Sequence, residues 1–308
     1  MQNRGERVYG KTIKYIRKNK NMTLKEAAGK ELSISQLSRF ENEKSMIPVD
    51  LFYAVLKNLN SNTEEFNYIK NQEYPQVMKS FFKKIEIYTA EEKTDDLNAL
   101  KENIEKSHPG IYSSEQFLIY FIDSILAALE DRETTAKQHV VEYLMQIEDW
   151  GETELRLYAM FGFVLDIETT YFLMNTALNR SKQYQVLPAS SKLLHVILMN
   201  NFSTFLAFNY LEYAEETIHL FETNYSENTD DLTPHIDFIF NKGLLAFKKK
   251  DLEKAGEYCE RAIYFCQLFK QKENEKRYTK RYKSWKKNYA KVDDYKEITV
   301  QLGFIDLI

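Results

Sequence analysis

Glycine and proline are scarce in this 308-residue chain, at 9 and 5, and there are only two cysteines. So few helix breakers favour long helices joined by short turns. Period-two alternation of apolar residues is also missing, so no strand is expected. No stretch approaches the roughly 20 consecutive apolar residues of a membrane span. The N-terminal "MQNRGERVYGKTIKYIRKNK" lacks the apolar core of a signal peptide. The expectation is a cytoplasmic protein with no membrane partner. Cys259 and Cys266 lie seven residues apart, roughly 10 Å along a helix, too far for a disulfide within one helix. They read as small buried hydrophobes. HExxH, GxSxG, Walker A and GxGxxG are all absent, and His108, His139, His195, His219 and His235 show no metal-ligand spacing. Neither an enzyme, a metal site nor a cofactor is expected.

Charge is abundant and unevenly placed. Residues 1–66 carry 12 Lys and Arg against 8 Asp and Glu, whereas the remainder carries 30 against 38. A basic end on an acidic body suggests that the end meets an anion.

That basic end reads as five short helices. The first is amphipathic, with Val8, Ile13 and Ile16 on one side and Arg7, Lys11, Lys14 and Lys18 on the other. Asn21 ends it. Thr23 then caps a second helix, and Glu26 three residues later completes a capping box. Ser33 is placed to cap a third helix, "ISQLSRFENE", whose core side carries Leu37 and Phe40. A fourth follows with Leu51, Phe52, Val55 and Leu59 at helical spacing, and a fifth opens at Asn62 or Thr63.

A capped short helix, a turn and a second helix opening on polar residues is the helix-turn-helix layout. Residues 7–66 resemble the lambda-repressor-like, or XRE-type, DNA-binding domain. The resemblance rests on Ile13 and Arg17, Thr23-x-x-Glu26-x-Ala28, the run "LSISQLSRFEN" and the apolar fourth helix. It implies that Ser33, Ile34, Ser35, Gln36 and Arg39 face the major groove. Arg39 suits guanine O6 and N7, Gln36 or Ser35 a base edge or a phosphate, and Ile34 a thymine methyl. It places Asn42 and Lys44 on phosphates, with Thr23 at a further phosphate. Arg17 and Glu41 match a structural ion pair. Two positions depart from the pattern. Leu24 stands where many relatives carry a polar residue, and Glu43 replaces a common glycine.

From about residue 70 long helical patterns recur: 74–90, 95–107, 113–130, 134–148, 152–165, 167–184, 188–208, 210–224, 232–249, 251–270 and 274–291. "GLLAFKKKDLEKAGEYCERAI" spaces Gly243, Ala255 and Ala262 as in a tetratricopeptide helix pair, with weaker echoes around Ala136, Tyr171 and Ala214. Degenerate repeats and a plain helical bundle are the two readings. The expected fold is all-α, with a DNA-binding domain over 1–68 and a tetratricopeptide-like array over 69–308.

The whole chain resembles the Rgg/MutR regulators, on "ISQLSRFENEKSMI" and on the size and texture of the C-terminal region. That resemblance implies a homodimer, a palindromic double-stranded DNA site and a short signalling peptide in the concave face of the repeats. Asparagine both donates and accepts, and so suits peptide backbones. Asn175, Asn179, Asn200, Asn201, Asn209 and Asn241 are the candidates, with Arg156 and Arg180 for a carboxylate. A repeat region that only dimerises or binds a protein partner is the alternative. Residues 270–291 hold 10 basic and 2 acidic residues among four aromatics. They form either a packed helix with a solvated face or an anion-binding edge for an acidic peptide or flanking DNA.

Overall fold

The computed structural model describes residues 8–73, 77–225 and 231–297. Among these no strand is present, and no helix is long and apolar enough to cross a membrane. Arg7, the first three residues of the expected 74–90 helix and most of the loop "SENTDD" lie outside the described residues. The chain forms two compact units, residues 1–83 and 84–308. The division falls inside a helix, later than the change of sequence texture at about residue 70.

The first unit contains α1 (Tyr9–Asn19), α2 (Leu24–Ala28), α3 (Ile34–Glu41), α4 (Val49–Asn58) and α5 (Thr63–Glu73). Three of the five starts have a local side-chain cap. Thr23 and Glu26 form the expected capping box on α2, and Ser33 with Gln36 forms one on α3. The Asn62 side chain accepts the Glu65 backbone N–H at 2.8 Å, opening α5. The apolar stripes close on one core of Ile13, Ile16, Ala27, Ala28, Leu37, Phe40, Val55, Leu56, Leu59 and Phe66. Gly10 lets α1 touch α3, because a Cβ there would lie 1.8 Å from the Phe40 carbonyl oxygen.

The helix α6 (Val77–Ala90) leads to the second unit. That unit contains α7 (Thr94–Glu105), α8 (Ser114–Leu129), α9 (Ala136–Gln146), α10 (Glu152–Phe161), α11 (Ile167–Arg180), α12 (Pro188–Ala207), α13 (Leu211–Tyr225), α14 (Leu232–Lys248), α15 (Leu252–Leu268) and α16 (Lys272–Lys287). Even-numbered helices from α8 to α16 contact one another in sequence, and α9, α11, α13 and α15 stack on them as a second row. This two-row order is that of a helical repeat array. In α12, the middle of the first row, 14 of 20 residues are buried.

The tightest pair is α14 with α15, where the repeat signature is clearest. Ala255, Cys259 and Ala262 are fully buried opposite Gly243. Both cysteines behave as expected, since burial pushes the Cys259 thiol up to about 12 and Cys266 up to about 11. Two buried polar nodes tie helices of the array together. Tyr158 donates to the Thr170 carbonyl at 2.6 Å and accepts from Asn201 at 2.7 Å, tying α10, α11 and α12 together. Asp237 on α14 meets His195 of α12 at 3.1 Å and accepts from Arg277 of α16 at 2.9 Å and from the Tyr278 hydroxyl. Burial alone would raise the Asp237 pKa; its three partners outweigh burial and hold it below the ordinary carboxylate value.

A methyl group on Gly243 would lie 2.5 Å from Cys259 Sγ and 3.1 Å from the Ala255 carbonyl oxygen. Gly243→Ala is therefore expected to cost about 1–3 kcal/mol by overpacking. A thermal melt measures this, and Cys259→Ala in the same chain should recover part of the loss.

Candidate functional site

The third helix is built with two different sides. Leu37 and Phe40 are fully buried, and Glu41 is 2% exposed. Arg17 donates Nε and Nη2 to the two Glu41 carboxylate oxygens at 2.6 and 2.8 Å, and Nη1 to the Met22 carbonyl at 2.8 Å. This planar, bidentate pair, with the arginine side chain 11% exposed, fixes α3 against α1 and against the turn before α2. The Glu41 hydrogen bond raises the Arg17 pKa further above its usual value.

The opposite side is open. Ile34 is 48% exposed, and Ser35, Gln36 and Arg39 are exposed. Arg39 has no hydrogen-bond or ion-pair partner among the described residues. Gln36 is divided between two tasks. Its Oε1 accepts from Ser33 N–H at 3.1 Å and from the Ser33 hydroxyl at 2.9 Å. Its amide NH2 has no partner among the described residues and remains available outward. Ser33, which the sequence placed both as cap and on the groove side, is committed mainly to the cap.

Several neighbours are committed to structural contacts. The Thr23 hydroxyl donates to Glu26 at 2.7 Å and accepts the Glu26 N–H, so its primary role is capping. Hydrogen bonds from Thr23 hold the Glu26 carboxyl below its ordinary value. Asn42 donates to the Ser38 carbonyl at 2.7 Å and accepts from Lys14 Nζ at 2.8 Å. Lys44 is exposed.

Glu43 has φ +59°. Its N–H bonds the Phe40 carbonyl, and the Lys44 N–H bonds the Arg39 carbonyl at 2.8 Å, a Schellman-type helix end. The left-handed backbone explains why glycine suits this position. The Glu43 carboxylate accepts the Lys11 backbone N–H at 2.8 Å, near the start of α1. Glu43 is thus a cap for α1, a role favoured by the positive end of the helix. The departure from glycine leaves the turn intact, and one oxygen of its carboxylate caps α1. A long-range cap of this kind leaves no mark in local spacing. Gly10 was likewise missed, although a glycine inside an otherwise amphipathic helix is the signal that would have found it.

The eight candidates in the second unit do not converge. Arg180 donates to the carbonyls of Leu144, Met145 and Ile147 and so closes the C-terminal end of α9. Asn201 is buried on Tyr158. Asn175 bonds the Tyr171 carbonyl one turn back in its own helix. Asn209 turns the chain between α12 and α13 at φ +66°. Asn241 is 7% exposed and lies with its amide 3.0 Å from Met199 Sδ. Asn179 is exposed on α11, in the second row. Arg156, paired with Glu152, and Asn200, half-buried on α12, are the two that lie partly exposed in the first row.

Comparison with known proteins gives two family matches. A profile described as the C-terminal domain of the HTH-type transcriptional regulator Rgg matches residues 97–280, and a helix-turn-helix profile matches residues 13–66. Among solved structures, the chain is similar to the SHP pheromone receptor Rgg2 of Streptococcus dysgalactiae. The TM-score is 0.68 and identity 19%, over 90% of this chain and 99% of that one. A Listeria monocytogenes EGD-e chain described as a transcriptional regulator gives TM-score 0.71 and 18% identity, over 90% and 96% of the two chains. The PrgX/iCF10 complex gives 0.63 and 14%, over 90% and 95%.

Removing one member of the Arg17–Glu41 pair leaves a buried charge without its counterion. Arg17→Ala, which strands the buried Glu41 carboxylate, should destabilise the N-terminal unit by about 3–5 kcal/mol, and Glu41→Ala by less, because Arg17 is partly exposed and keeps its bond to the Met22 carbonyl. Replacing both residues by methionine should recover much of that. Denaturant unfolding of the three variants, followed by circular dichroism, checks the order.

Proposed function

The chain belongs to the Rgg family of helix-turn-helix transcriptional regulators, and we propose that it reads a specific duplex DNA sequence through the outward side of α3. The family consists of regulators, not enzymes. The observation that carries the reading is the exposed, unpartnered Arg39, presented beside Ile34, Ser35 and the free amide of Gln36 on a helix whose other side is locked. Arg39 forks onto a guanine edge, Gln36 donates to a base acceptor, and Ile34 touches a thymine methyl. Lys44 and Asn42 lie toward phosphates and set register, while Thr23 and Ser33, occupied as caps, act there by holding the N-termini of α2 and α3. The protein acts as a homodimer on a palindromic site, its recognition helices about one DNA turn apart. A regulator of this kind works in the cytoplasm. Residues 1–68 form the DNA-binding domain, and residues 69–308 the domain for ligand binding and dimerisation.

Control comes from a short signalling peptide held by the first row of the array, with Arg156 and Asn200 as its polar contacts. The support is the kinship: the similar structures include a pheromone receptor and a bacterial peptide pheromone/receptor complex. The alternative is a second unit that only dimerises or binds a protein. It draws on the apolar face of α15, where Tyr264, Leu268 and Phe269 are 58%, 56% and 46% exposed.

On the DNA upstream of its own gene, wild type should give a sequence-dependent mobility shift that Arg39→Ala weakens by about 10- to 100-fold, the value of one bidentate base contact. Equal binding by the two proteins would remove α3 from the reading. Thermal unfolding against short hydrophobic peptides encoded beside the gene should show saturable stabilisation by one of them, about 2.7 kcal/mol at a hundredfold excess over Kd. No stabilisation, with a dimer intact in light scattering, would favour the alternative.

A further inference from the structure

The second unit is acidic, with 27 Lys and Arg against 37 Asp and Glu over residues 84–308. Its bases are not scattered. Residues 270–291 hold 10 of the 27 and only two of the acids. Outside that segment, 17 bases face 35 acids. The acidic body therefore carries one strongly basic element, centred on α16, the last α-helix among the described residues.

The structure sorts the side chains of α16 by sign and polarity. Tyr278 and Trp285 are 1% exposed, and Phe240 stacks on Tyr278 with ring centroids 4.5 Å apart. Tyr282 donates to Glu260, and Arg277 and Arg281 turn toward Asp237 and Glu297. What faces away from the array is mostly lysine, with the exposed Glu273 at the edge of its first turn. Lys272, Lys276, Lys280, Lys283 and Lys287 are all exposed. At 100° per residue they share one narrow stripe, which at 1.5 Å per residue runs about 22 Å. Among the described residues none of the five has a carboxylate within ion-pair distance, although the unit has acids in excess. The end helix of a repeat array needs a polar outer surface. Mixed charge would serve that purpose, whereas lysines of one sign repel one another along the stripe.

We propose that the lysine stripe of α16 is a second DNA-contacting surface, which binds the phosphate backbone of duplex DNA without reading its sequence. This rests on the reading of the chain as a DNA-binding regulator. Three features favour duplex DNA over other polyanions. The stripe offers point charges on flexible stems, which fix phosphates but do not discriminate bases. Its aromatics face inward, so unpaired bases have no platform to stack on, which excludes a single-strand site. It has no apolar or aromatic anchor at its centre and consists of the residue type depleted from protein interfaces, which disfavours an acidic protein. Duplex DNA presents a phosphate every 1.7 Å or so of axis, ample for several contacts along this length.

The test uses the full chain and a 40-base-pair duplex of arbitrary sequence, with binding followed by fluorescence anisotropy over a potassium chloride series. Lysine-phosphate contacts contribute about 0.9 each to the slope of log affinity against log salt. The variant Lys276→Gln, Lys280→Gln, Lys283→Gln, Lys287→Gln should lower the steepness of that slope by about 2–4. The same four changed to Arg should keep it, and Arg39→Ala should lower it by no more than about 1. All four side chains are exposed, so an unchanged thermal melt confirms folding. An unchanged slope in the glutamine variant, with wild-type DNA binding present, overturns this proposal alone and points to another polyanion or a solvated face. A wild-type chain that binds no duplex overturns the DNA-binding reading and this surface with it.

Discussion

The bidentate contact between Arg17 and Glu41 is the constraint on which the first unit depends. Both charges are withdrawn from water, so each requires the other. The geometry that satisfies them sets the position of α3 on α1. Gly10 permits the same approach at the backbone level, and Glu43 adds a cap from the turn after α3 to the start of α1. Three unrelated interactions thus join one pair of helices. Under the proposed reading, α3 reads bases only if its outward side chains arrive at fixed positions, and the rigidity comes from its inward side.

In the second unit the equivalent role belongs to buried polar nodes. The Tyr158–Asn201–Thr170 contacts link three consecutive helices, and the Asp237 cluster links three that alternate along the chain. A greasy helix such as α12 can rotate among several apolar packings; hydrogen-bonded partners at defined heights remove that freedom. The array can then hold its surfaces, whether a ligand groove or the basic face of α16, in one arrangement.

Much of this was legible in the sequence because it is local. The capping box at Thr23, the cap at Ser33, the apolar stripes and the Gly243–Ala255–Ala262 spacing all follow from residues within one or two neighbouring helices. The resemblance of residues 7–66 supplied the Arg17–Glu41 pair and the open side of α3. What escaped was long-range. Glu43 looked like a misplaced charge because its partner, the Lys11 N–H, lies 32 residues away. His195 looked isolated because Asp237 is 42 residues on. Among the asparagines, composition could not separate the residue that turns a chain, Asn209, or the one that braces a core, Asn201, from one open to a ligand. Charge counting found the basic segment 270–291, and only the burial of its aromatics and arginines revealed that the exposed remainder is a single lysine stripe.

The central claim is that a rigidly held α3 reads bases through Ile34, Ser35, Gln36 and Arg39. Selection of bound duplexes from a random pool by the full-length protein addresses it most directly. The account predicts an inverted repeat with a fixed guanine in each half-site, and relaxation at that guanine alone when Arg39 becomes alanine. An enriched motif that Arg39→Ala leaves unchanged would contradict it.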